Sequence, residues 1–175
     1  MAEYILDASQ LKEKASELRA GDRVILSGTV FTSRDAAHKK IVGLINEGGE
    51  LPFELDGACI YYAGPTPAPR GLPIGSCGPT TSGRMDPFAP LLLDKGLVAM
   101  IGKGGRDKSV CEAIIRNKAV YLCAVGGAGA LAAKCVKECE EIAFFELGCE
   151  SVKRIVLDSF PLIVGIDCEG GSLFN

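Results

Sequence analysis

Apolar positions recur at helical spacing from the start of the chain. Leu11, Ala15 and Leu18 fall on one face of a predicted helix over residues 8–20, with Asp7 as its cap and Gly21 as its stop. After the turn pair Gly21-Asp22, the apolar residues Val24, Leu26 and Val30 predict a strand over 23–31. A second helix from Ser33 or Arg34 to Asn46 carries Ile41, Leu44 and Ile45, and 59–63 reads as a buried strand. Residues 64–83 are rich in proline and glycine and lead to a short apolar helical segment at 88–93.

The second half alternates more plainly. A strand at 97–101 precedes Gly102-Lys103-Gly104-Gly105, and Asp107 caps a helix to Arg116 with Val110, Cys111, Ile114 and Ile115 inward. A strand at 119–125 is followed by Gly126-Gly127, which opens a predicted helix of small residues to Glu140. Further strands are predicted at 142–145, 155–157 and 162–166. Strand–glycine–helix alternation argues an α/β fold with ligands at the loops that follow strands, here 32–35, 64–84 and 102–106. The irregular middle separates it from a plain doubly wound sheet, and long loops in compact domains are usually functional.

Composition narrows the class. The chain has 175 residues, 47% hydrophobic and 23% charged, which suits a single globular domain over 1–175. A net charge of −3 leaves no electrostatic footprint for nucleic acid, and no apolar run is long enough to span a membrane. The start shows no signal-peptide layout, so a cytoplasmic location is expected. There are eight cysteines, at 59, 77, 111, 123, 135, 139, 149 and 168, without a CxxC pair. Cys135 and Cys139 stand one helical turn apart on the predicted helix, with no second pair to complete a metal site. Most lie in apolar segments as small hydrophobes, and no metal site is expected in this chain.

The chemistry gathers in one loop. Gly78-Pro79-Thr80-Thr81-Ser82-Gly83-Arg84-Met85-Asp86 holds hydroxyls, a guanidinium and backbone N–H groups ahead of a helix start, where anions are favoured. Gly78 and Gly83 allow close backbone approach, and Arg84 can grip a carboxylate or phosphate bidentately. An ordinary capped Gly/Pro loop would use the same residues. Companion segments tip the balance: Thr32-Ser33-Arg34-Asp35-Ala36-Ala37-His38 and Gly102-Lys103-Gly104-Gly105-Arg106 also end apolar runs with cations. Arg34, Arg84 and Lys103 together could neutralise a dicarboxylate, although each alone reads more readily as a solvated surface charge.

Two nucleotide motifs fail. Lys103 is followed by Gly104 rather than Ser or Thr, so no P-loop forms, and the glycines at 126, 127 and 129 lack the GxGxxG spacing. His38, the only histidine, shares a helix face with Arg34 and suits a structural hydrogen bond or a base. No Ser–His–Asp or Cys–His arrangement is present.

With those segments in view, the chain resembles the β subunit of class I, iron–sulfur-dependent fumarases and the related L-tartrate dehydratases, equivalent to the C-terminal region of single-chain members. The resemblance is carried by Ser27-Gly28-Thr29-Val30, Arg34 to His38, Gly64-Pro65, the 78–86 loop, Ile101 to Gly104, Gly126-Gly127-Ala128, and Phe160-Pro161 through Asp167, Gly170 and Phe174. It runs in order along nearly the whole chain, with 78–86 the most specific part. The family tends to close on a Gly-Asn-Asp-Leu/Phe-Phe pattern, where this chain has Gly171-Ser172-Leu173-Phe174.

The resemblance implies a swivelling β/β/α domain, with a mixed central sheet flanked by helices. It also implies reversible hydration of fumarate to L-malate or dehydration of tartrate to oxaloacetate, within a hetero-oligomer. A [4Fe–4S] cluster would be held by an iron–sulfur α subunit rather than by this chain. By the same resemblance, Arg34 and Arg84 clamp substrate carboxylates, Lys103 adds positive charge, and Thr80 is the candidate base or a substrate hydrogen-bond partner. Thr81 and Gly78 become substrate contacts, with His38 and Asp86 as further candidates. A non-catalytic dicarboxylate-binding module and a self-sufficient metalloenzyme are the competing readings.

Overall fold

Strand pairing organises the chain more than helix packing does. The computed structural model describes residues 1–125, 127 and 129–174; Gly126 and Ala128, part of the Gly126-Gly127-Ala128 match, lie outside the described residues. Its strands are β1 (Glu3–Asp7), β2 (Arg23–Thr32), β3 (Cys59–Tyr61), β4 (Ala99–Gly102), β5 (Val120–Cys123), β6 (Val136–Ala143) and β7 (Val152–Ile166). They form one mixed sheet of seven strands. β2, β3, β4 and β5 are successive parallel neighbours, while β7 runs antiparallel to β5 and also to β2. Those ladders close a ring, because β7 joins the first and last of the parallel strands. β1 and β6 extend it, pairing with the remaining edge of β2 and β7.

Alternation along each short strand divides the core into two layers. Cys59, Tyr61, Ala99, Ile101, Val120 and Leu122 meet inside the ring with Val24, Leu26, Val30, Ile155 and Val164. Ile60, Met100 and Tyr121 point the other way, into a second cluster completed by helices. These are α2 (Asp35–Glu47), α3 (Ala89–Asp94) and α4 (Lys108–Asn117). A short α1 (Leu11–Lys14) and α5 (Gly129–Lys134) send Leu11 and Ala132 to the first cluster instead.

Several expectations hold in detail. Asp7 makes a capping box with Gln10, and the Asp107 carboxylate accepts from the Val110 N–H to start α4. Others need correction. The predicted 8–20 helix is α1 between two 3-10 turns, ending at Glu17. β1 has no counterpart in the pattern reading. The helix expected to run to Glu140 stops at Lys134, and Val136 begins β6. There the pairing edge of β7 outweighs a run of good helix formers, since a strand beside an open edge satisfies its backbone in full. The strand expected at 142–145 is the end of β6, followed by a 3-10 segment from Phe145 to Glu150.

The two C-terminal strands are one. Ile155 and Leu157 face the ring interior, as do Phe160, Leu162 and Val164, so the inward parity flips between them. Asp158 and Ser159 both stand opposite Ser27, where the register with β2 shifts. This is a β-bulge: Ser159 takes φ 54° and its N–H donates to Ser27 Oγ at 3.0 Å. One extra residue reverses the alternation without ending the strand, so the pattern looks like a break.

The bulge gives a direct test. Ser159→Val places a β-branched side chain in the left-handed region and is expected to lower unfolding free energy by about 1–3 kcal/mol, whereas Ser159→Gly should leave it unchanged or raise it. Urea denaturation of the two variants measures the difference.

Candidate active site

Parallel strands deliver their C-terminal ends to one rim of the ring, and the three cation-bearing loops all leave from that rim. β2 ends at Thr32 just before Arg34, β3 ends at Tyr61 where residues 62–84 begin, and β4 ends at Gly102 beside Lys103. The 78–86 loop is then stitched onto the rim. Thr80 N–H donates to the Tyr62 carbonyl at 2.7 Å, and Thr81 forms a parallel bridge with Lys103. Ser82 N–H donates to the Lys103 carbonyl, and Lys103 N–H donates to Ser82 Oγ, both at 3.0 Å. The fully buried Ser82 also lies 2.8 Å from the Tyr121 hydroxyl, which in turn lies 2.8 Å from the Gly104 carbonyl.

A buried ion pair fastens the same two loops. The Arg106 side chain is 0% exposed and donates from Nε to Asp86 Oδ1 at 2.6 Å. The other Asp86 oxygen accepts from Asp107 N–H at 2.7 Å. Tyr62 and Tyr121 hold the guanidinium carbon 5.2 and 5.0 Å from their ring centroids. Burial alone would lower the Arg106 pKa, but the Tyr62 and Asp86 groups outweigh it and the net shift is upward. Asp86 therefore acts in this structure as a structural counter-ion. Arg106 was visible in sequence only as the end of the Gly102–Arg106 segment, and nothing there signalled its burial.

The loop leads to α3, the helical segment expected at 88–93. A 3-10 turn from Ser82 to Met85 intervenes before α3, so Arg84 sits on that turn rather than at a helix N-terminus. Gly78 has a packing reason for its bare Cα: a Cβ there would come 3.3 Å from Gly129 Cα.

Four charges alternate along the open face of the rim. Arg84 Nε donates to Asp35 Oδ1 at 2.9 Å; Asp35 Oδ2 is 3.9 Å from Arg34 Nε, and Arg34 Nε is 3.5 Å from Glu150 Oε1. Arg34 is the N-cap residue of α2, and Glu150 ends the 3-10 segment before β7. Among the described residues, the buried side-chain nitrogens and oxygens without a hydrogen-bond partner are Arg34 Nε, Asp35 Oδ2, His38 Nε2 and Glu150 Oε1. Buried polar atoms are normally paired, so their concentration on one rim marks the site. The structure thus unites Thr80, Thr81, Arg84 and Lys103 on two joined loops, and brings Arg34 to them through Asp35. Asp35 and Glu150 were not singled out by sequence; Asp35 lay inside a quoted motif, while Glu150 carried no signal at all.

His38 stands behind this row. Its side chain is fully buried against Tyr62 and Phe88, with Nδ1 2.7 Å from Ser33 Oγ and 2.9 Å from the Arg34 carbonyl. Burial, above all, pulls its pKa down to about 4. A neutral, enclosed imidazole of this kind props the Arg34 backbone.

All eight cysteines are free, and among the described residues no three His, Cys, Asp or Glu side chains gather where a metal ion could be held. Burial pushes the Cys77 thiol up to about 12, against the thiolate such ligation needs.

The chain is a mixed α/β domain with two arginines and two carboxylates along one rim, and comparison with known proteins identifies its kind. Residues 2–175 match the Fumarase C-terminus family, and the chain belongs to it. It is 38% identical over 168 residues to "Fumarate hydratase class I, anaerobic" of Escherichia coli, a match that covers 95% of this chain and 31% of that protein. It is 37% identical to "Fumarate hydratase 2" of Leishmania major, covering 95% of this chain and 30% of that one. "Putative L(+)-tartrate dehydratase subunit beta" of Methanocaldococcus jannaschii is 37% identical over 170 residues, which cover 94% of this chain and 87% of that protein. The chain thus spans about a third of the curated fumarate hydratases it matches, but most of the tartrate dehydratase subunit.

Two outcomes follow from the buried charges. Arg106→Met leaves Asp86 buried without its counter-charge and should cost about 3–5 kcal/mol of stability by chemical denaturation. His38 is neutral in the native state, while the unfolded chain takes up a proton below its ordinary pKa of 6.5. Its contribution is therefore complete above pH 6.5 and is lost as pH falls toward about 4, by up to about 3 kcal/mol. A pH series of denaturation midpoints should show that slope, and His38→Gln should flatten it.

Proposed function

We propose that this chain is the carboxylate-clamping half of a hydro-lyase that reversibly hydrates fumarate to L-malate, working on a site shared with an iron–sulfur α subunit. The observation that carries this reading is the convergence of Arg34, Thr80, Arg84 and Lys103 on one rim, in a chain whose relatives are named fumarate hydratases. The [4Fe–4S] cluster is the α subunit's, and this chain's part is done by its own side chains.

Arg84, half-exposed on its 3-10 turn and bonded to Asp35 through Nε, has its terminal nitrogens left to receive one substrate carboxylate as a fork. Arg34 receives the other, and Lys103 adds a point charge beside the reacting carbons. When a proton leaves carbon next to a carboxylate, negative charge spreads onto the carboxylate oxygens. The Ser82–Lys103 stitching joins the backbones of the two loops that carry Arg84 and Lys103, so these cations start close to where that charge develops. Thr80 moves the proton or holds the substrate. As a base, its hydroxyl would need strong support from Arg84, Lys103 and nearby N–H groups, because a free threonine alkoxide does not exist at neutral pH.

Exposed apolar side chains support a partner. Leu72 and Leu131, both more than half exposed, stand near a groove of 540 Å³ lined by Pro69, Pro73, Ile74, Ala130 and Ala133. Apolar surface of this kind is a normal sign of a protein interface.

A second reading is L-tartrate dehydration to oxaloacetate. It is favoured by the relative named as a tartrate dehydratase β subunit, which this chain matches along most of its length.

Anaerobic turnover of fumarate and of L-tartrate, with this chain alone and with a cluster-loaded α subunit, tests both readings. We expect activity in the mixture alone, with Thr80→Ala and Arg84→Ala each lowering kcat/KM by about 100- to 1,000-fold. No turnover of either substrate in a mixture that holds an intact cluster would leave a dicarboxylate-binding module as the surviving account.

A further inference from the structure

Asp35 is the one group that touches both sides of the clamp. Its Oδ1 accepts from Arg84 Nε at 2.9 Å, and its Oδ2 faces Arg34 Nε at 3.9 Å, with Glu150 Oε1 3.5 Å beyond. Asp35 and Glu150 are about 70% shielded, with side-chain exposures of 31% and 29%, and each has a buried oxygen without a hydrogen-bond partner. The order Arg84, Asp35, Arg34, Glu150 alternates in sign and sums to zero charge. Two guanidinium groups otherwise repel and turn outward into water; a carboxylate between them lets both remain on one rim.

The geometry also selects an edge of Arg84. A guanidinium can fork a carboxylate side-on through Nε and one Nη, or end-on through both Nη atoms. Here Arg84 Nε is bonded to Asp35, which leaves the terminal nitrogens of Arg84 for a ligand, while Arg34 Nε faces Asp35 and Glu150 at 3.9 and 3.5 Å without a hydrogen bond. Gly64 sets the place of Arg34. A Cβ on Gly64 would lie 3.0 Å from Arg34 Cδ and from its Nη1, so the arginine stem packs against a residue with no side chain.

We propose that Asp35 is the positioning residue of the clamp. It bonds the inner edge of Arg84 and sets its negative charge beside Arg34, so that both guanidinium groups stay on one rim to receive the two carboxylates of the substrate, with Glu150 as the outer counter-charge to Arg34. Asp35 touches no substrate itself. The proposal rests on the hydro-lyase reading for the identity of the dicarboxylate, but the arrangement of the arginines can be measured without it.

The test compares Asp35→Ala, Asp35→Asn and Gly64→Ala in two measurements. Arginine Nε–Hε resonances of the isolated chain report the inner-edge bond, and steady-state kinetics of the chain with its cluster-loaded α subunit report its consequence. In the native chain the Arg84 Nε–Hε signal should exchange slowly with solvent. Asp35→Ala should abolish that protection and raise KM by roughly tenfold, up to the ~100-fold cost of a misplaced group, with kcat much less affected. Asp35→Asn keeps an oxygen acceptor but not the charge, and should recover part of the Arg84 protection and less of the KM effect. Gly64→Ala retains every charge yet displaces Arg34, and should raise KM while leaving the Arg84 signal protected. Unchanged protection of Arg84 in Asp35→Ala, or a native KM in that variant when the native complex turns over, would overturn the proposal. Failure of the native complex to turn over either substrate would instead overturn the hydro-lyase reading, and the resonance comparison would still decide the role of Asp35.

Discussion

The buried pair between Arg106 and Asp86 is the constraint on which the rest of the rim depends. A guanidinium with no exposed surface, flanked by Tyr62 and Tyr121, would be costly if its charge were left unmet. Asp86 meets it, and in doing so ties the loop that carries Thr80 and Arg84 to the loop that carries Lys103. A pair of apolar residues could fill the same volume with equal stability. What the ions add is direction, since Asp86 must present one oxygen to Arg106 and the other to the Asp107 N–H. The positions of the two loops are then specified together.

The ring of strands explains why those loops meet. Four parallel neighbours put their C-terminal ends on one side, and β7 closes the sheet antiparallel to both β2 and β5. Closure leaves the rim as the place where polar backbone and side chains can collect. The segment from Gly64 to Gly83, irregular by composition, is tied across itself by the Thr66–Ser76 bond and held to the fold at Cys77 and Thr80 by backbone hydrogen bonds. It behaves as a shaped wall of the site. Arg34 and Glu150, far apart in the chain, reach the same rim because β2 and β7 are paired throughout.

Much of this was legible in the residues, and the omissions have physical causes. Local signals were reliable: the caps at Asp7 and Asp107, the strands before each glycine cluster, and the three cation-bearing loops that leave those strand ends. Signals that depend on distant pairing were not. The segment from Val136 to Glu140 reads as helix until β7 offers it an edge, and the bulge at Asp158-Ser159 mimics a strand break because it reverses the inward parity. Arg34, Arg84 and Lys103 stood out as cations after strands, but their carboxylate partners did not. Asp35 looked like an ordinary first-turn acid, and Glu150 sits on a 3-10 segment with no sequence mark. Tyr62 and Tyr121 gave no hint that they would enclose Arg106, since an aromatic residue in a strand is ordinarily core.

The proposed clamp holds a dicarboxylate between two arginines that share Asp35, bonded to Arg84 Nε and facing Arg34 Nε. A crystal structure of the chain with a cluster-bearing α subunit and bound L-malate tests that most directly. We expect one carboxylate on the terminal nitrogens of Arg84 and the other on those of Arg34, with Arg84 Nε still on Asp35. L-malate bound away from the 78–86 and 102–106 loops, or held without either arginine, would contradict it.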